Sequence, residues 1–359
     1  MGLSGGVDSS VAAAVLVEQG FDVVGVTLRV WPWRQPQDAP QRFGSCCSPA
    51  TVDDARQIAR QLGIPYYLLN SEAEFERTVI DDFAREYEAG RTPVPCTVCN
   101  RDVKFGSLLQ RARAWDAGAV ATGHYARVTR DPATGRHLLW RGVDARKDQS
   151  DFLWPLSQAQ LGAACFPVGG LTKPAVRDRA RALGLVTADK PESQEICFIP
   201  DDDYRGFLRR RNPQAFRPGP IVDHGGRVLG HHEGLPAYTV GQRKGIGLTT
   251  GRALYVTALD PTRNALVVGE ARELEVDTLV AEQVNWIALD RLEGPLGVTV
   301  QIRHRHTPAP ATIRPCGQEV EVRFAAPQWA PAPGQSVVFY QDDLVLGGGV
   351  IAAQRAEAA

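Results

Sequence analysis

No run of eighteen apolar residues occurs in this 359-residue chain, and a membrane-spanning helix needs about that many. The first residues also lack the basic-then-apolar layout of a secretion signal, so a cytoplasmic protein is expected. An excess of charge is missing too. Formal net charge is −1, so the field of the whole chain does not mark it as a nucleic-acid binder. Any RNA site must then be a local basic surface, such as Arg209-Arg210-Arg211, Arg243-Lys244 or Arg303-His304-Arg305-His306. Taken alone, the arginine triplet reads as a solvated face. Internal repeats and low-complexity tracts are absent as well.

Seven cysteines, an odd number in a long chain, argue against a structural disulfide framework. Clustered cysteines in a reducing compartment point instead to metal binding or thiol chemistry. Cys165 and Cys316 stand apart and read as packing residues. Cys46 and Cys47 are adjacent and can hardly face one ion together, so packing or loop structure is expected of them.

With 43% hydrophobic and 23% charged residues, the chain suits two or three folded domains. Up to about residue 200, strand-like runs alternate with helical patterns. Helices are expected from Val11 to Glu18, Val52 to Leu62, Ser71 to Ala89 and Asn100 to Trp115. Buried strands are expected from Asp22 to Val30 and Pro65 to Leu69, with another near Ala117 to Val128 broken by Gly123-His124. That alternation implies an α/β domain built on a parallel sheet. After Pro200, proline-glycine turns and short β-runs take over. From about Arg272, patterns such as Val298-Val300-Ile302 predict a small antiparallel barrel. The expected divisions are 1–200, 201–271 and 272–359.

Ser4-Gly5-Gly6-Val7-Asp8-Ser9-Ser10 stands just before the first helix. Glycines let successive N–H groups turn toward an anion, and the helix start adds unpaired donors and partial positive charge. Hydroxyls of Ser4, Ser9 and Ser10 can add donors. No Gly-Lys-Ser/Thr follows, so this is not a Walker loop. A serine-capped helix after a glycine turn would account for one serine and one glycine but poorly for the whole string. The string resembles the loop of the ATP pyrophosphatases, which cleave between the α- and β-phosphates and adenylate a substrate oxygen. Such a loop follows a buried strand, yet here it starts at residue 4. The expectation is a chain that begins late and a sheet without its central strand.

Cys96-Thr97-Val98-Cys99-Asn100 precedes a helical pattern, with Pro93 and Pro95 keeping the approach extended. Asn100 reads as an N-cap, which puts Cys99 near a helix start that favours a thiolate. Cys99 is thus a candidate nucleophile or metal ligand. Cys197 lies in an apolar stretch and by itself reads as core.

Over nearly its whole length the sequence resembles the tRNA-specific 2-thiouridylases. The resemblance is carried by Ser4–Ser10, Thr92–Asn100, Lys104-Phe105, Ala121–Arg127, Lys147–Ser150, Ser193–Phe198, Tyr238–Gly245, Pro333-Gly334-Gln335 and Gly347-Gly348-Gly349. It implies an ATP pyrophosphatase domain of the adenine-nucleotide α-hydrolase type (PP-loop), a small central domain and a C-terminal β-barrel. By position, Gly2, Leu3, Ser4, Gly5, Gly6, Val7, Asp8 and Ser9 would wrap the phosphates of ATP, with Leu28 and Gly123 also on the nucleotide. Cys197 would carry persulfide sulfur and Cys99 would attack it. Val94, Pro95 and Cys96 would lie beside the target base. His124, Lys147, Asp148, Gln149, Arg303, His304 and Gln335 would touch tRNA. The implied activity adenylates the C2 carbonyl of the wobble uridine and replaces its oxygen with sulfur. ATP, Mg2+, a tRNA with a wobble uridine and a persulfide donor or relay protein are the implied cofactors and partners, and a monomer is expected.

Two departures stand out. Cys96 stands where many members have aspartate, so Cys96, Cys99 and Cys197 form a set like that of related thiolases holding a 4Fe–4S cluster. Asp151 stands where the family often has tyrosine. Two rivals remain open. One is an adenylating amidotransferase or ligase of the same superfamily, such as a synthetase of argininosuccinate, GMP or asparagine, none of which needs paired catalytic cysteines or a barrel. The other is a nucleotide- or RNA-binding module without catalysis.

Overall fold

The computed structural model describes residues 1–31, 48–191, 196–199, 201–249 and 251–353. Cys46, Cys47 and the string 193–195 lie outside the described residues. The chain divides into two compact units, the first holding Met1–Ile80, Cys96–Asp203 and Asp343–Val345, and the second most of the remainder.

The first unit contains strands β1 (Gly25–Arg29), β2 (Tyr66–Asn70), β3 (Val120–Ala121), β4 (Ala126–Arg130), β5 (His137–Arg141) and β6 (Ala164–Cys165). β1 pairs in parallel with β2, from Gly25 opposite Tyr66 to Arg29 opposite Asn70, and β3 pairs in parallel with β6. The central position expected to be missing is taken by Met1–Leu3. Gly2 bridges Val26 in parallel, Leu3 N donates to Val26 O, Val26 N donates to Met1 O, and Gly2 N donates to Ala121 O, each at 2.8 Å. The parallel order is therefore β2-β1-(1–3)-β3-β6.

Helix α1 (Val7–Glu18) starts at Gly6 and ends near Gly20, whose φ of +81° is the left-handed conformation of a helix stop. Its Ala/Val run is buried on every side, as a helix without a polar stripe must be. Val7, Val11 and Val15 pack with Val168, Val176, Ala180 and Leu185. Helix α2 (Pro49–Gln61) is capped by Ser48, whose hydroxyl accepts from Thr51 N, and packs Ala55 and Ala59 against Leu3 and Ala13. The helix expected over 71–89 is α-helical only in Glu72–Phe75 and Asp81–Glu88, with the π-helical turn Glu76–Ile80 between. Likewise Pro95–Val98 passes into a π-helical stretch, Cys99–Ser107, before Leu108–Ala114. Asn100 is therefore inside the helical run and does not cap it. Cys316, expected in packing, is exposed, whereas Cys165 is half-buried.

In the second unit β7 (Gly219–Val222), β8 (Val228–His232), β9 (Tyr255–Asp260) and β10 (Ala265–Gly269) form a sheet of order β8-β7-β10-β9. Its core gathers Ile221, Leu235, Val256, Leu266 and Val268. β11 (Glu275–Trp286), β12 (Leu296–Gln301), β13 (Ala309–Cys316), β14 (Glu319–Trp329), β15 (Ser336–Gln341) and β16 (Leu344–Ile351) follow in the order β11-β14-β13-β12-β15-β16. Antiparallel pairing of β11 with β16 closes this barrel and removes its free edges. The Gly347–Gly349 string explains the closure: a Cβ on Gly347 would sit 2.5 Å from Asn285 O, and one on Gly349 2.8 Å from Glu282 O. Glycine alone allows that approach, beside an irregularity between Glu282 and Asn285. Among the described residues no helix is long and apolar enough to cross a membrane.

Candidate nucleotide and thiol site

The loop leaves the sheet at Leu3 and enters α1 at Val7. Gly5 has φ +66°, and a Cβ there would meet Thr51 O at 2.1 Å, so both conformation and space demand glycine. Gly6 precedes α1 with no side-chain cap. Among the described residues none supplies an acceptor to the N–H groups of Gly6, Val7 or Asp8. Such unpaired donors at a helix start are what an anion requires.

Hydroxyls of the loop are largely engaged internally. Ser9 Oγ donates to Gly6 O at 3.0 Å and accepts from Ser4 N at 3.2 Å, with Ser4 Oγ 3.1 Å away. Ser10 Oγ donates to Gly6 O and accepts from Thr187 Oγ1 in a buried position, so it braces the loop and does not face a ligand. Ser4 is the exposed one.

Gly123 lies flush against α1, where a Cβ would be 2.7 Å from Ser9 N. This places the Thr122–His124 turn against the end of the glycine-serine loop. Leu28 is half-buried on β1 opposite Leu69. Two lysines that the sequence did not single out also reach the loop. Lys173 Nζ lies 2.7 Å from both carboxylate oxygens of Asp8, whose Oδ1 also accepts from Tyr125 OH at 2.7 Å. Lys190 Nζ donates to Gly5 O at 2.9 Å and pairs with Asp54. No motif reveals them, because they sit more than 160 residues downstream.

His124 bonds Thr122 Oγ1 through Nδ1 at 2.7 Å and is flanked by the rings of Phe105 and Phe166. Burial, helped by the Lys104 charge, holds its imidazole well below the usual histidine range, so it is neutral at pH 7. Phe105 belongs to the π-helical stretch that begins at Cys99. Within it Asn100 is buried, donating to Phe152 O and accepting from Lys104 Nζ, both at 3.0 Å. Gln160 Nε2 donates to Arg101 O and Phe105 O, carbonyls that the wider π register exposes. Phe75 makes an edge contact with Phe198, next to Cys197, and the Glu72–Phe75 turn packs on Cys99–Ser107. Cys99 and Cys197 thus lie on segments that both pack against the Glu72–Phe75 turn.

Both are half-buried, Cys96 is exposed, and none of the three is in a disulfide. Among the described residues no group of three His, Cys, Asp or Glu is placed to hold a metal ion.

Asp148 is buried and accepts from Arg141, Gly142 N, Ser150 N and Ser150 Oγ, while burial still pushes its carboxyl upward. Gln149 exchanges bonds with the backbone of Tyr125. These two act as internal braces, while Lys147 is half-buried beside them. In the second unit Gln335 Nε2 donates to Thr92 O at 2.9 Å, and Val94 and Pro95 are half-buried. Arg303 donates to Trp329 O and lies 6.0 Å from the centre of that exposed ring, with His304 exposed beside it. Arg209 and Arg211 of the triplet pair with Glu233 and Asp81.

Three family models match the chain: a tRNA methyl transferase HUP domain over residues 1–201, a tRNA methyl transferase PRC-barrel domain over 205–270, and an aminomethyltransferase beta-barrel domain over 276–351. The tRNA-specific 2-thiouridylase of Heliobacterium modesticaldum is 53% identical over 97% of this chain and 91% of its own. That of Symbiobacterium thermophilum is 52% identical over 98% and 91%. Among solved structures, the U34-tRNA thiolase NcsA from Methanococcus maripaludis with its [4Fe-4S] cluster is 18% identical, covering 59% of this chain and 65% of that one at a TM-score of 0.33. With half its residues shared along nearly their full length, the chain belongs to the tRNA-specific 2-thiouridylase family.

Proposed function

We propose that this protein uses ATP to adenylate the C2 carbonyl oxygen of the wobble uridine in tRNA and then replaces that oxygen with sulfur. The observation that carries the reading is the loop from Gly2 to Ser9, with unpaired N–H groups at the start of α1 and Gly123 against Ser9 N. Uridine C2 oxygen is a poor leaving group. Its attack on the α-phosphorus expels pyrophosphate and converts it into AMP, a good one.

Main-chain N–H groups of Gly6, Val7 and Asp8 would offset charge building on the phosphates. Mg2+ would supply further neutralisation. Such an ion would be held chiefly by phosphate oxygens and water, since both carboxylate oxygens of Asp8 already face Lys173. Leu28 and Gly123 would border the nucleotide.

The incoming sulfur would be the outer sulfur of a persulfide on Cys197, loaded by a donor or relay protein. It either attacks C2 directly, releasing AMP and leaving C2 joined through S–S to Cys197 until Cys99 attacks the Cys197 sulfur and frees the thiouridine, or is first freed as hydrosulfide when Cys99 attacks the Cys197 sulfur and then displaces AMP. Both routes end in a Cys99–Cys197 disulfide that an external thiol must reduce before the next turnover. Because a target base must be splayed from the RNA to be reached, shape and phosphate contacts would dominate recognition. Val94, Pro95 and Cys96 would border the base. His124, Lys147, Asp148, Gln149, Arg303, His304 and Gln335 would support tRNA, several of them by bracing the loops that touch it. Adenylation is assigned to 1–200 and tRNA support to 201–271 and 272–359, in a monomer.

The test is mass spectrometry of unmodified tRNA after incubation with protein, MgATP and a sulfur source. Thiouridine from the wild type, lost in Cys99→Ala and Cys197→Ala, is expected, with free sulfide restoring Cys197→Ala and no stoichiometric iron in the protein. Absence of both thiouridine and tRNA-dependent AMP formation refutes the reading. Iron-dependent activity overturns the persulfide step alone.

A further inference from the structure

The peptide joining Gly5 to Gly6 is the one whose orientation matters most to the loop. A trans peptide is planar, so its C=O and N–H point in opposite directions. Whatever fixes the Gly5 carbonyl therefore fixes the Gly6 N–H on the other side. Glycine on both sides of the bond leaves it unusually free to flip, because neither residue has a Cβ to resist.

Lys190 supplies the missing restraint. Its Nζ donates to Gly5 O at 2.9 Å, and Asp54 of α2 holds the same ammonium in place. Arg177 fixes the segment that carries Lys190, donating to Ala188 O at 2.8 Å and to Lys190 O at 3.2 Å. Thr187 bonds Ser10 in the first turn of α1. The lysine side chain is 19% exposed and the Asp54 side chain 33%, so the pair is partly shielded from water.

We infer that Lys190 is a positioning residue for the reaction. It pins the Gly5 carbonyl away from the anion site and so aims the Gly6 N–H at the phosphates of ATP. The inference rests on the nucleotide reading of the loop. It assigns to Lys190 no contact with the phosphate itself, which distinguishes it from the lysine of a Walker loop.

The test measures equilibrium binding of ATP and of adenosine to the full chain for wild type, Lys190→Met and Lys190→Arg. Loss of one aligned charge-accepting donor predicts about tenfold weaker ATP binding in Lys190→Met. Adenosine, which has no phosphate, should bind as to wild type, and Lys190→Arg should recover part of the ATP affinity by donating to the same carbonyl. Unchanged ATP affinity in Lys190→Met overturns the inference, and so does an equal loss for ATP and adenosine, which marks a merely structural lysine. Failure of the wild type to bind ATP removes the nucleotide reading itself and this inference with it.

Discussion

Gly123→Ala adds one methyl group where the Thr122–His124 turn presses on the start of α1. Its Cβ would lie 2.7 Å from Ser9 N, 2.8 Å from Asp8 C and 3.0 Å from Ser9 Cα. All three are backbone atoms in the first turn of α1, so no rotamer change relieves the overlap. Moving from 2.7 Å to the 3.4 Å of ordinary contact requires the turn or the loop to retreat by about 0.7 Å. Overpacking of this kind costs about 1–3 kcal/mol, or roughly 2–12 °C in Tm for a unit of this size. The larger effect falls on chemistry, where misplacement by about 1 Å costs on the order of 100-fold. We expect Gly123→Ala to retain its fold but to form thiouridine about 10- to 100-fold more slowly, with weakened ATP binding. Circular-dichroism melting, ATP titration and tRNA thiolation read the three effects separately. Gly118→Ala is the control, since a Cβ there meets nothing within 4 Å. Wild-type ATP affinity and rate in Gly123→Ala would refute the contact between this turn and the loop.

Lys173→Met removes the ammonium from the Asp8 carboxylate. Because that carboxylate is 31% exposed, the cost is expected nearer 1–2 kcal/mol than the value for a fully buried pair. Adding Asp8→Asn should restore most of that stability; additive losses in denaturant melts would show that the two are not coupled. Acid should destabilise the fold through His124, His232 and His306, all held below the usual histidine range mainly by burial. Each depressed histidine leaves stability intact above the unfolded value of about 6.5 and removes it as pH falls below that, by at most about 1.4 kcal/mol per pH unit per group. His124→Asn should flatten the acid limb of stability against pH, and an unchanged limb would contradict the neutral imidazole.

Local chemistry was legible in the sequence wherever one short string does the work. Ser4–Ser10 announced an anion loop because glycine freedom and a helix start are local properties. The Gly347–Gly349 string is also local, although its reason, the close approach of β16 to the irregular part of β11, is not. The place of the central strand is held by Met1–Leu3 through one parallel bridge and bonds to Val26 and Ala121, partners distant in sequence and so invisible in the string itself. Asn100 reads as a cap in the sequence, but its side chain serves Phe152 O and Lys104, contacts that only the fold creates. The resemblance places Asp148 and Gln335 on tRNA, and only the fold shows that the Asp148 carboxylate accepts from Gly142 N and Ser150 Oγ and that Gln335 Nε2 donates to Thr92 O.

The sequence by itself therefore carried the alternation of elements, the glycine-serine loop before the first helix and Cys99 as a candidate thiol, because propensity, periodicity and functional-group chemistry are written residue by residue. Tertiary structure alone decided which groups serve that loop. Lys173 reaches Asp8 and Lys190 reaches Gly5 across more than 160 residues, and Gly123 meets Ser9 across more than a hundred. Side chains so far apart in the chain have no shared local signal. Their meeting is fixed only when the sheet and the packing around α1 bring the segments together.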